Sequence, residues 1–147
     1  MYKNLWGCVM DLEKAKEILV TGGYTCVLCR AEQVITSNRR GVAPLMELWD
    51  AQRDVTGFSA ADKVVGKATA LLYCLLGVKS VYAMVMSRPA LAVLEAHGIE
   101  IGYEQLVDAI RNRTNTGFCP METATRDIHD PKDAPQAIRK ALASLKP

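Results

Sequence analysis

The chain has 147 residues, half of them hydrophobic and 23% charged, and its 18 basic and 16 acidic side chains leave a net charge of +2. That length and balance suit one folded domain burying roughly 70% of its unfolded surface, and they exclude a disordered chain. The basic residues are scattered rather than gathered into a stripe, so nucleic acid is not an expected partner.

The first ten residues, MYKNLWGCVM, hold neither a signal-peptide apolar core nor a cleavage site, and are read as an N-terminal extension ahead of one domain over 11–147. Five cysteines (Cys8, Cys26, Cys29, Cys74 and Cys119) make an odd count, which fits a reducing cytoplasm better than a disulfide framework. Asp11 to Val20 places Leu12, Ala15, Ile18 and Leu19 on one face of an amphipathic helix that Gly22-Gly23 stops. Tyr24 to Arg30 and Gln33 to Ser37 are two β-rich runs around a short polar turn, the pattern of an antiparallel hairpin. Cys26-x-x-Cys29 on such a strand points its thiols to opposite faces, which disfavours a shared metal.

After the polar loop Asn38-Arg39-Arg40-Gly41, Ala43 to Gln52 predicts a short helix with Pro44 in its first turn. Ser59 to Leu76 is the most prominent stretch. Ser59-x-x-Asp62 imitates a capping pattern, strong helix formers follow, and Gly77 suits a helix end, so the whole stretch predicts one core helix. With Lys67 central, it is too short and too interrupted to span a membrane. Ser80 to Met86 is a nearly unbroken apolar run, the mark of an interior strand. Ser87-Arg88-Pro89 opens another helix that ends at Gly98, Ile99 to Tyr103 predicts a strand, and Asp133 to Leu145 a final amphipathic helix. This succession implies an α/β fold, a three-layer α/β/α sandwich whose mixed sheet carries an N-terminal antiparallel hairpin.

Candidate chemistry sits at helix starts, where free N–H groups and the helix dipole favour anions. Cys119, at the predicted start Cys119-Pro120-Met121-Glu122 near Asn112 and Arg113, is either a nucleophile activated as a thiolate or a structural cap with Glu122 reaching back to it. Asp62 is an acid/base candidate or a simple dipole partner. Lys63 and Lys67, four apart on the predicted helix, form either an anion-binding pair or a solvated stripe. Ser87 and Arg88 follow the interior strand, where α/β sheets commonly bind ligands, and the Asn38–Arg40 loop is a further candidate against the default of an exposed polar loop. His97 and His129 lack metal-ligand spacing, and no phosphate-loop, dinucleotide or nucleophile-elbow motif is present.

Taken together and in this order, SNRRGVAPLMEL, ADKVVGKATALL, VYAMVMSRPALAVLEAHGI and NRTNTGFCPME resemble a bacterial and archaeal domain family of unknown function with a cytidine-deaminase-like fold. The likeness covers about 11–130. Zinc deaminases of the wider superfamily carry H-x-E on one helix and P-C-x-x-C at the start of the next. The resemblance sets Ala61-Asp62-Lys63 and Pro89-Ala90-Leu91-Ala92-Val93 in those places. Proline is kept and every zinc ligand is missing, so the expectation is no metal, no cofactor and no zinc-dependent deamination. It implies instead a pocket lined by Asp62, Lys63, Ser87, Arg88 and the Asn112–Glu122 loop, binding a small anionic or nucleotide-like, phosphate-bearing metabolite. The alternatives are an enzyme using Cys119 as nucleophile or Asp62 as acid/base, and a non-catalytic interaction subunit, such as a homodimer through Met46, Trp49 or Trp6.

Overall fold

The computed structural model describes residues 2–111, 117 and 119–145, with side chains from Met10 onward. Helix α1 (Tyr2–Gly22) leads into the hairpin β1 (Cys26–Arg30) and β2 (Gln33–Ser37), and then the short helix α2 (Ala43–Asp50). Three strand–helix steps follow: β3 (Ser59–Val65) with α3 (Lys67–Leu76), β4 (Ser80–Ser87) with α4 (Arg88–Ala96), and β5 (Glu100–Val107) with α5 (Pro120–Thr125). A 3-10 turn at Pro131–Asp133 introduces α6 (Ala134–Leu145).

The sheet is five-stranded and mixed, in the order β2-β1-β3-β4-β5. β1 runs antiparallel to both β2 and β3, whereas β3, β4 and β5 are parallel and are joined by the α3 and α4 crossovers. Side-chain alternation along each strand divides the interior in two. On one face Val27, Cys29, Ala61 and Tyr82 pack against Ala15 and Leu19 of α1. On the other, Cys26, Leu28, Ala60, Val81 and Ala83 pack under the remaining helices, with Leu71, Leu72 and Tyr73 of α3 fully buried among them. Helices therefore cover both faces of the sheet, and Cys26 and Cys29 do point to opposite sides of it.

Local sequence accounts for several joints. The turn at Ala31-Glu32 places Ala31 at φ 54°, and α1 clamps it from both sides: Asp11 accepts from its N–H and Lys14 donates to its carbonyl. Ser87 caps α4 by accepting from the Ala90 N–H, with Pro89 in the first turn as expected. Gly77 closes α3 in the left-handed conformation at φ 76°.

Two expectations are corrected. Ser59 to Leu76 is not one helix. Its first seven residues form β3, Gly66 breaks the direction, and α3 occupies only Lys67–Leu76. Ser59 is not a cap either, because its hydroxyl is buried and accepts from Ser80 on the neighbouring strand at 2.7 Å. The strand prevails because each of its edges finds a ladder, β1 on one side and β4 on the other, and ladder pairing outweighs the helix propensity of Ala60 and Ala61. Met46, proposed for a partner surface, is buried in the core beneath α2, while Trp49 is partly exposed; the Trp6 side chain lies outside the described residues. No described helix is long and apolar enough to cross a membrane.

Candidate functional site

A cavity of about 540 Å³ opens where the ends of β1, β2 and β3 meet the starts of α2, α3 and α5. Its apolar lining comes from Val42 and Pro44 of the α2 start, Val64, Ala68, Ile110 and Met121. Thr25, Asn38 and Thr69 add neutral polar groups, Arg39, Arg40 and Lys63 are its basic members, and Asp62 and Glu122 its acids. The volume is that of a small-molecule site.

Asp62 lies on β3 directly across the ladder from Cys26 of β1. Only 7% of its surface is exposed. The Tyr73 hydroxyl, reaching up from α3, donates to its Oδ2 at 2.7 Å, and the Val64 N–H donates to Oδ1 at 3.3 Å. Cys26 Sγ lies 3.4 Å from the Tyr73 oxygen. Either atom of that contact can donate, and when Asp62 is ionised and takes the phenolic hydrogen the thiol is left as the donor. Burial pushes the Asp62 carboxyl up to about 7, with the Tyr73 and backbone hydrogen bonds pulling the other way. Burial likewise raises Cys26 and Tyr73, with the Asp62 charge acting in the same direction on both. Thiol and phenol thus stay protonated while the carboxyl titrates near neutrality.

Glu122 sits on α5 and reaches across to the start of α3, where its Oε1 accepts the Lys67 N–H at 2.9 Å and lies 3.5 Å from Ser87 Oγ. It supplies an acceptor for one of the free amides of that helix, whose N-cap residue Gly66 has no side chain to offer. A Cβ at position 66 would run into Glu122 Oε1 and crowd Ile110, so a side chain there would require Glu122 to give way. Burial raises the Glu122 carboxyl, while the Lys67 amide, Ser87 and the Lys67 charge lower it.

The basic side chains of the cavity are exposed. Arg39 pairs with Glu47 of α2, and the Thr25 hydroxyl donates to the Arg39 carbonyl, tying the loop after β2 to the start of β1. Among the described residues, no ion pair involves Arg40 or Lys63.

The expected site residues divide cleanly. Asp62, Lys63, Cys119 and Glu122 meet in this cavity. Ser87 stands behind it, fully buried and engaged with the α4 start and Glu122. Arg88 points elsewhere and pairs with Asp108 in solvent. Lys67 does not share a face with Lys63, because the strand–helix break falls between them; its ammonium instead donates to the Arg126 carbonyl. Cys119 occupies the N-cap position of α5 but makes no side-chain cap bond, and Glu122 turns to α3 rather than back to it, so the expected capping box is not formed. Asn112 and Arg113 lie outside the described residues. Tyr73 and Cys26 are the residues that sequence reading missed. A tyrosine in an otherwise aliphatic helix was the available signal, since a buried phenol needs a partner.

The zinc-motif placements are also revised. Ala61-Asp62-Lys63 lies within a strand, so it is not the counterpart of a helix-borne H-x-E, and the α4 start is separated from the cavity by Glu122 and Ser87. Of the three helix starts that border the cavity, Val42-Ala43-Pro44 and Gly66-Lys67-Ala68 carry neither histidine nor cysteine, and the α5 start carries the single cysteine Cys119. Among the described residues no group of three histidine, cysteine or acidic side chains could hold a metal ion.

No curated protein matches the chain. The crystal structure of a DUF1893 family protein from Thermotoga maritima is similar in fold, with a TM-score of 0.78 at 24% identity over 92% of this chain and 90% of that one. The model of the same family, a domain of unknown function, matches residues 14–142. On that span, the chain belongs to the DUF1893 family.

Proposed function

We propose that this protein is a zinc-free, deaminase-like domain that binds a small anionic or nucleotide-like metabolite in the cavity between β3 and the starts of α2, α3 and α5. The observation that carries the reading is a single hollow with the buried carboxyl of Asp62 in its wall and the exposed cations Arg39, Arg40 and Lys63 around it. Such a hollow can hold an apolar ring or chain against Val42, Pro44 and Met121 while a phosphate or carboxylate meets the cations. The cytidine-deaminase-like classification is supported by the mixed sheet with its edge hairpin and by helices on both faces. Isothermal calorimetry with a panel of nucleotides and sugar phosphates tests the reading. At least one should bind, and Arg40→Ala and Lys63→Ala should each weaken it by roughly tenfold, the effect of losing about 1.4 kcal/mol. A panel without binders, or binding indifferent to both changes, overturns it.

A second reading, an enzyme using Asp62 as general acid or base, is favoured by one observation: a carboxyl held near neutrality in the wall of a cavity and oriented by a phenol. It differs from the first in requiring turnover. Loss of product formation in Asp62→Asn with ligand affinity retained would mark it.

A further inference from the structure

We infer that the inner wall of this cavity selects a nitrogen group rich in N–H donors (an amine, an amidine or an aminoheterocycle), so that the ligand carries such a group at its buried end and its acidic group at the mouth. The inference deepens the proposed binding function and rests on it.

Asp62 has acceptor capacity to spare. A carboxylate has about four lone-pair positions. The Tyr73 hydroxyl takes one on Oδ2 and the Val64 N–H makes a long contact to Oδ1, yet Asp62 still lines the cavity. In its ionised form, with the phenolic hydrogen taken up on Oδ2, Asp62 keeps acceptor positions for the cavity that it lines. Glu122 adds a second acidic side chain to the lining: its Oε1 is occupied by the Lys67 amide, and no bond to its other oxygen is found among the described residues.

The basic members of the lining, Arg39, Arg40 and Lys63, are exposed, and Lys67, whose charge acts on Glu122, spends its ammonium on the Arg126 carbonyl and is absent from the lining. The cavity is therefore bipolar, with acceptors within and cations outside. A buried acceptor facing a ligand carbonyl would be left unpaired or repelled, whereas an N–H group would satisfy it, and such mismatches discriminate strongly.

Two ligand pairs that differ only in the relevant nitrogen provide the test: aminoethyl phosphate against ethyl phosphate, and adenosine monophosphate against inosine monophosphate. Calorimetry on the wild-type chain should show the amino member of at least one pair binding about tenfold or more tightly, and Asp62→Asn should bring that ratio towards one. If phosphates bind but both members of each pair bind alike, this inference fails while the proposed binding function stands. If none of the four binds, and the wider nucleotide and sugar-phosphate panel also fails, both fall. A wild-type preference that persists in a folded Asp62→Asn protein overturns the assignment to Asp62.

Discussion

The Tyr73 hydroxyl donates to Asp62 Oδ2 at 2.7 Å, joining the middle of α3 to the strand that precedes it. Both residues are buried, so the bond satisfies a carboxyl that water can scarcely reach. Tyr73→Phe keeps the ring and removes only the donor. It leaves Asp62 and the Cys26 thiol each short of a partner, and should destabilise the protein by about 1–3 kcal/mol in urea unfolding. A loss below about 0.5 kcal/mol would mean that water or a rearrangement replaces the bond.

The pH dependence of stability carries the same signature. Burial raises Asp62 from an ordinary 3.8 to about 7, so between those values the folded state holds a proton that the unfolded state has released. The stability gained from the neutral carboxyl is complete below the unfolded value and is lost as pH rises through the folded one, at about 1.4 kcal/mol per unit. Asp62→Asn removes this titration. Glu122 is shifted in the same direction, but it is present in both proteins and largely cancels in their difference. The difference between wild type and variant should therefore move in the variant's favour from about pH 5 to about pH 7 and level off above. Urea midpoints across that range decide the matter, and a flat difference would show that Asp62 titrates normally.

How much of this was legible in sequence differs from element to element. The hairpin, the interior strand β4, the Ser87 cap and the amphipathic α6 each announce themselves within a few residues, because turn chemistry, an apolar run, a cap and a helical period are local signals. β3 does not. Ser59-Ala60-Ala61-Asp62 imitates a capped helix of good helix formers, and its strand identity comes from partners far along the chain: Cys26 opposite Asp62 on one side and Ala83 on the other. Gly66 was the legible punctuation, a glycine placed between a β-branched pair and a helical run. The same error displaced part of the site. Lys63 and Lys67 are neighbours only on an unbroken helix, whereas Tyr73 and Cys26 join Asp62 only once the β1–β3 register exists.

The contact between Gly66 and Glu122 gives a prediction about coupling. Gly66→Ala drives a methyl group into Glu122 Oε1 and crowds Ile110, and should cost about 1–3 kcal/mol, as overpacking of a filled site does. Glu122→Ala strips the acceptor from the Lys67 amide, at about 0.5–2 kcal/mol by analogy with lost helix caps. In the double variant the methyl group meets less opposition, so the two losses should fall short of additivity by at least about 0.5 kcal/mol. Strict additivity in a double-mutant cycle would show that Ile110 and the backbone, not Glu122, exclude a side chain at position 66.

The end of α2 offers a stabilising change remote from the cavity chemistry. The Gln52 N–H donates to the Trp49 carbonyl and the Arg53 N–H to the Leu48 carbonyl, with Gln52 between them at φ 54°. These are the paired bonds of a helix end whose left-handed position is normally filled by glycine. A non-glycine residue costs about 1–2 kcal/mol in that conformation, while glycine forfeits part of the gain, about 0.4–1 kcal/mol, through its freer unfolded state. Gln52→Gly should thus raise stability by about 0.5–1 kcal/mol, visible as a later urea midpoint with an unchanged slope. Because residue 52 does not line the Asp62 cavity, ligand affinity in the proposed site should be untouched. A destabilised Gln52→Gly protein would imply that the Gln52 side chain makes a stabilising interaction outweighing its backbone cost.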